Sequence, residues 1–122
     1  MTACPFCRPD RPALLTSKFA FALYDKFPVN KGHALIIPNR HVVDYFDLNE
    51  MEKAACWKLV DQVKTHLQKE FEPDGFNIGI NCGATAGQTV WHVHIHLIPR
   101  YAGDMEDPRG GVRGVIPERR RY

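Results

Sequence analysis

The sequence predicts an α+β fold built around an antiparallel sheet, and three observations predict it. Apolar residues recur at helical spacing through one long central stretch. Two pairs of strand-like segments flank that stretch, one before it and one after it. Within each pair the connection is a turn or a Gly-rich loop, which suits antiparallel neighbours. A chain of 122 residues is one domain by length and long enough to enclose a core. A Cys-x-x-Cys knuckle over residues 1–15 precedes the predicted core, and a tail over 101–122 follows it.

Residues 4–12 are rich in proline and cysteine, which predicts a knuckle and not a regular element. Residues 19–24 are aromatic and apolar enough for a strand, closed by Asp25. Pro28, Asn30 and Gly32 mark a turn, and residues 33–37 make a second strand stopped by Pro38. Asp47, with Glu50 three residues later, reads as a helix start. Leu48, Met51, Ala55, Leu59, Val63 and Leu67 then keep helical spacing, predicting about five turns to near Glu70. Pro73, Asp74 and Gly75 end the helix. Phe76, Ile78 and Ile80 alternate with Asn77, Gly79 and Asn81, a strand with one apolar and one small polar face. The last strand is the segment His92-Val93-His94-Ile95-His96, continuing through Leu97 and Ile98. Its period places three imidazoles on one face and Val93, Ile95 and Leu97 on the other. From Tyr101 onward glycine and proline interrupt any periodicity, which predicts an ordered or partner-bound tail.

A net charge of +2 gives no bulk electrostatic case for nucleic-acid binding. No apolar run approaches the roughly 18 to 20 residues of a membrane span. The first residues show no basic stretch followed by a hydrophobic one, so the expected location is the cytoplasm. Four cysteines there read as free thiols or metal ligands before they read as disulfides.

Three histidines within five residues carry the chemistry. A neutral imidazole has an in-plane lone pair and attacks phosphorus when its other nitrogen keeps the proton. His94, the middle ring, has a polar neighbour on each side to orient it, and His96 can donate to a phosphate oxygen. The preceding Ala86-Gly87-Gln88-Thr89-Val90 offers a carboxamide, a hydroxyl and backbone amides of the kind that cradle a phosphate. Asn81 can reach the same place, and Gly79 leaves room for close approach to the backbone. Two other readings stand beside this one: a metal site, since imidazole is a common zinc ligand, and a set of hydrogen-bonded structural histidines. Cys4 and Cys7 have the spacing of half a zinc site, with a pair of reduced thiols as the alternative. Cys56 and Cys82 fit no ligand pattern and read as core or semi-exposed thiols.

The run from Ala86 through His92-Val93-His94-Ile95-His96-Leu97-Ile98 to Arg100 strongly resembles the histidine triad family. Upstream, Gly32-His33-Ala34-Leu35-Ile36-Ile37-Pro38 resembles that family's second landmark, with Asp25 before it. The resemblance implies a five-stranded antiparallel sheet with one long helix and short flanking helices, paired into a homodimer. It implies hydrolysis or transfer of a nucleoside monophosphate, with a small-molecule nucleotide as substrate. Carried onto matching positions, His94 is the nucleophile, and His96 and His33 assist it. Gln88 and Thr89, with Gly87, hold the phosphate, and Asn81 lies beside them. Asp25 accepts the ribose hydroxyls, and Leu23 and Tyr24 lie near the base.

The resemblance also implies a structural zinc held by Cys4, Cys7, His41 and His92, which takes His92 out of the chemistry. Among activities, the segments on either side of the triad look most like the dinucleoside polyphosphate hydrolases, the diadenosine tetraphosphate type. Nucleoside phosphoramidate hydrolysis is the alternative, and a non-catalytic nucleotide-binding module acting through protein partners is a third. Magnesium would arrive with the polyphosphate and not on a protein site. Arg109 or Arg113 is the expected contact for the distal phosphates, across the dimer.

Overall fold

The computed structural model describes residues 3–122; Met1 and Thr2, at the start of the expected knuckle, lie outside the described residues. Five strands form one antiparallel sheet: β1 (Leu15–Thr16), β2 (Ala20–Tyr24), β3 (Ala34–Pro38), β4 (Gly75–Ile80) and β5 (Ile95–Arg100). They lie in the order β1-β2-β3-β5-β4, so both expected hairpins form and β5 joins them by pairing with β3. One helix, α1 (Glu50–Phe71), joins the halves; the expected short flanking helices are 3-10 turns.

Strand alternation divides the sheet into two chemically different faces. Ala20, Ala22, Ala34, Ile36, Ile95 and Leu97 face α1 and pack against Cys56, Leu59, Val60, Val63 and Leu67. The three alanines let a helix bearing bulky side chains lie close to the sheet. Full burial of each large aliphatic side chain contributes roughly 1.5–3 kcal/mol. Among the described residues no α-helix lies over the opposite face. Leu23, Leu35 and Ile37 are covered there by Phe6 of the N-terminal knuckle, and this is the face that carries His96.

The helix starts two residues later than the sequence reading placed it. Asp47 ends a 3-10 turn, Tyr45–Asp47, that Asp44 caps through the Phe46 amide. Leu48 is extended, and Asn49 is the N-cap, exchanging a capping box with Glu52 at 2.8 and 3.0 Å. The buried stripe shifts accordingly: Met51 is exposed, whereas Glu52, Cys56 and Val60 join the core side. Glu52 is almost fully buried and holds the Arg40 guanidinium at 2.8 and 2.9 Å. That hydrogen bond keeps its carboxyl below the usual carboxylate range against the opposing effect of burial. The strand of the triad also differs. It begins at Ile95, because β4 ends at Ile80, the residue paired with Ile95, and offers no ladder beyond it. His92 and His94 therefore sit on irregular backbone, with the Val93 amide bonded to the Val42 carbonyl at 2.8 Å.

Candidate active site

β3 and β5 bring His33 and His96 together on the face without a helix. His33 precedes β3, and His96 pairs with Leu35 on one side and Gly79 on the other. The Val29 amide donates to His33 Nδ1 at 3.0 Å, so the His33 proton resides on Nε2. That nitrogen faces His96 Nδ1 at 3.0 Å and Asp25 Oδ2 at 3.4 Å. A neutral His33 thus donates to His96 Nδ1, which leaves the His96 proton on Nε2 as a donor. Burial, then the neighbouring His94 and His33, lower the His96 pKa to about 4, so its ring is neutral near pH 7. Burial pushes His33 down in the same sense.

His94 is fixed the opposite way. Its Nδ1 donates to the His92 carbonyl 2.9 Å away, so Nε2 keeps its lone pair. The ring lies 4.9 Å from that of His96 and 5.0 Å from that of Phe6, both edge-on. A lone pair on one imidazole beside an N–H on the next is the arrangement an in-line attack on phosphorus requires: a nucleophile and a donor for the developing charge. Both rings line a cavity of about 440 Å³, together with Asp25, Leu35, Asn81 and Thr89.

A second cluster lies behind the first. His92 is fully buried and its Nε2 donates to the Pro38 carbonyl at 2.8 Å, so Nδ1 carries the lone pair. That Nδ1 lies 3.4 Å from Cys4 Sγ and 3.6 Å from Cys7 Sγ, and His41 Nδ1 lies 3.2 Å from Cys7 Sγ. All four donor atoms lie within 4.8 Å of one another. A tetrahedral ion with zinc–sulfur and zinc–nitrogen bonds of ordinary length separates such donors by roughly 3.5 Å. The two thiols and two imidazoles fit a divalent ion of this kind in type, number and spacing.

A family model described as "HIT domain" matches residues 10–103. The chain belongs to the HIT family. An uncharacterized HIT-like protein of Mycoplasma genitalium is 36% identical over 105 residues, covering 82% of this chain and 74% of that protein. The bis(5'-adenosyl)-triphosphatase of Dictyostelium discoideum is 39% identical over 92 residues, covering 75% of this chain. The match spans 62% of that enzyme, less than two thirds of its length. Among solved structures, a Zn-bound histidine triad protein from Mycobacterium smegmatis superposes with a TM-score of 0.74 at 32% identity, covering 85% of this chain and 77% of that one.

Against this HIT frame the sequence-derived residues separate. His33, His94, His96 and Asp25 meet at one place, with Asn81 and Thr89 on the cavity wall. One Asp25 oxygen accepts the Phe27 amide, so this residue also shapes the turn before His33. Tyr24 is a correction. Alternation turns it to the helix side, edge-on to Phe71 with its hydroxyl 3.4 Å from His66 Nε2, away from the cavity. Leu23 is on the cavity side but fully buried, and Leu35 forms the wall in its place. Gly87 and Gln88 also line the cavity, and the Gln88 side chain is buried and holds the loop. Its Oε1 accepts from the Gly83 amide, and its Nε2 donates to the Val43 and Val90 carbonyls, so neither amide hydrogen is left for a phosphate. The Gly87 amide is likewise bonded, to the Ala84 carbonyl, and its left-handed φ of 100° is what the loop needs from glycine. Arg109 and Arg113 do not line the triad cavity. Phe6, Arg8 and Phe27, which the sequence reading did not single out, do line the cavity. The signal for Phe6 was its place inside the Cys-x-x-Cys knuckle.

Proposed function

We propose that this protein hydrolyses dinucleoside polyphosphates, of the diadenosine tetraphosphate type, through a nucleotidyl-histidine intermediate on His94. The observation that carries the reading is the fixed pair of tautomers: a lone pair on His94 Nε2 beside a proton on His96 Nε2. His94 Nε2 attacks the α-phosphorus, a P–N bond forms, and the bond from phosphorus to the bridging oxygen breaks as the remaining polyphosphate departs. His96 donates to a non-bridging oxygen, and His33 holds His96 in the donating tautomer. Water then attacks the phosphorus from the vacated side, releasing a nucleoside monophosphate and restoring the ring. Asp25 receives the ribose hydroxyls, Thr89 and Asn81 hold the phosphate, and Gln88 and Gly87 support them by shaping the loop. The Dictyostelium relative is named for an activity on a dinucleoside polyphosphate, which supports this substrate class.

Zinc is the metal that suits Cys4, Cys7, His41 and His92, and the name of the Mycobacterium smegmatis neighbour supports that choice. When bound, it ties the knuckle to the backbone that carries His94. Magnesium would accompany the polyphosphate. A homodimer is supported by β4, a free sheet edge with Ile78 exposed. The four free cysteines suit a reducing cytoplasm, and no helix of the described residues is long and apolar enough to cross a membrane. Nothing in the charge balance calls for nucleic acid.

The decisive experiment is acid-quench trapping with a dinucleotide labelled at the α-phosphate. Label should appear on the wild-type chain during turnover and be absent from His94→Asn, which should still bind AMP. Turnover without labelled protein, or label on the Asn variant, would refute the mechanism.

A further inference from the structure

A second cavity of about 750 Å³ opens beside the first, and the two share His96 and Asn81 on their walls. Their junction is therefore the place where the reacting phosphate would lie. The C-terminal tail builds the far wall of this groove, through the 3-10 turns Gly111–Val115 and Pro117–Arg119.

The fold sorts the arginines around it. Arg109 and Arg121 face the Asp107 carboxylate at 3.9 and 3.1 Å. Arg113 donates to the Arg119 carbonyl at 3.0 Å and lies over the Tyr122 ring. Arg100 reaches the groove but is held by Asn77 and Asp104. Arg120 also lines the groove; its charge acts on Asp107, but it forms no ion pair there, and its Nη1 lies 3.6 Å from the Met105 sulfur, a weak acceptor. The tail is shaped to put it there. Gly110 has φ of 93°, and a Cβ at that position would collide with the Arg120 carbonyl oxygen. Only glycine lets the chain return so closely.

We propose that this groove receives the departing polyphosphate, with Arg120 as the cation that recognises its distal phosphates. The proposal rests on the hydrolase reading above and adds a specificity-determining residue to it. A guanidinium offers paired donors matched to phosphate oxygens, and a leaving group carrying several phosphates gains from them where an amine gains nothing. Arg120 thus selects the leaving group without touching the reacting atoms.

The test compares diadenosine tetraphosphate with adenosine 5'-phosphoramidate for wild type, Arg120→Ala, Arg120→Lys and Arg113→Ala. Loss of Arg120 should lower kcat/KM on the tetraphosphate by roughly tenfold or more and leave the phosphoramidate within about twofold. Arg120→Lys should recover part of the loss, and Arg113→Ala should match wild type. Calorimetry with inorganic tripolyphosphate on AMP-saturated protein provides an arm independent of turnover, where Arg120→Ala should bind roughly tenfold more weakly. Equal losses on both substrates, or equal tripolyphosphate affinity in wild type and Arg120→Ala, would overturn the assignment. A wild type that turns over neither nucleotide would refute the hydrolase reading, while the tripolyphosphate arm still decides whether Arg120 binds polyphosphate.

Discussion

Acidification should cost this protein stability through His96 in a pH window that an exposed histidine would not produce. An ordinary histidine changes charge near pH 6.5, whereas burial, then His94 and His33, lower His96 to about 4. Between those values the unfolded chain takes up a proton that the folded chain does not. Stability from this group is therefore fully present above about pH 6.5 and is lost progressively as pH falls toward 4. The gap of about 2.5 pH units corresponds to at most about 3 kcal/mol, a large part of the stability of a small domain. Nuclear magnetic resonance of the His96 ring Cε1–H should give the midpoint directly, and urea unfolding at pH 7 and pH 5 should give the stability. His96→Gln should reduce the dependence between those two conditions, leaving the part that comes from His33, which burial lowers as well. A ring that titrates at pH 6 or above would refute the reasoning, since burial and the neighbouring rings would then not be disfavouring its charged form.

The remaining predictions concern metal, helix and loop. Protein purified without added metal should carry about one zinc per chain, and a chelator should lower Tm by roughly 10 °C or more; an unchanged Tm would dismiss the structural role. Glu52→Ala removes both the Arg40 partner and half of the capping box, and should destabilise by about 2 kcal/mol in urea. Glu52→Gln, which still reaches the Asn49 amide, should lose less. Gln88→Ala leaves the Gly83 amide and the Val43 carbonyl without that partner, and should speed hydrogen exchange over residues 83–90. Unchanged exchange there would mean that the loop holds itself.

Much of this architecture was readable from periodicity alone, and the misses have identifiable physical causes. Alternation in residues 76–81 and 93–98 gave both strands of the second hairpin, because one face of each is apolar. The two-residue β1 was too short to show a period at all. For the helix start, Asp47 with Glu50 and Asn49 with Glu52 satisfy the same capping rule, and only the Asp44-capped turn decides between them. Tyr24 shows a conflict between two signals. Alternation with Ala20 and Ala22 assigns it to the helix side, whereas the resemblance assigned its position to the base. The four donors at positions 4, 7, 41 and 92 do come together as the resemblance implies, although no local pattern links them in sequence. Burial of Gln88 was equally invisible, since its acceptors come from Val43 and Val90 through the loop's own folding.

The two-sided sheet also governs which changes this chain can absorb. In β3, Ala34 and Ile36 belong to the helix layer while Leu35 and Ile37 belong to the other. Swaps of similar volume beneath α1 can be accumulated without disturbing the chemistry, because the sheet insulates one layer from the other. A single inserted residue in β3 is a different matter. It would exchange the two layers at a stroke, drive Leu35 under the helix where Ala34 and Ile36 now fit, and strip the wall from the cavity that His94 and His96 line.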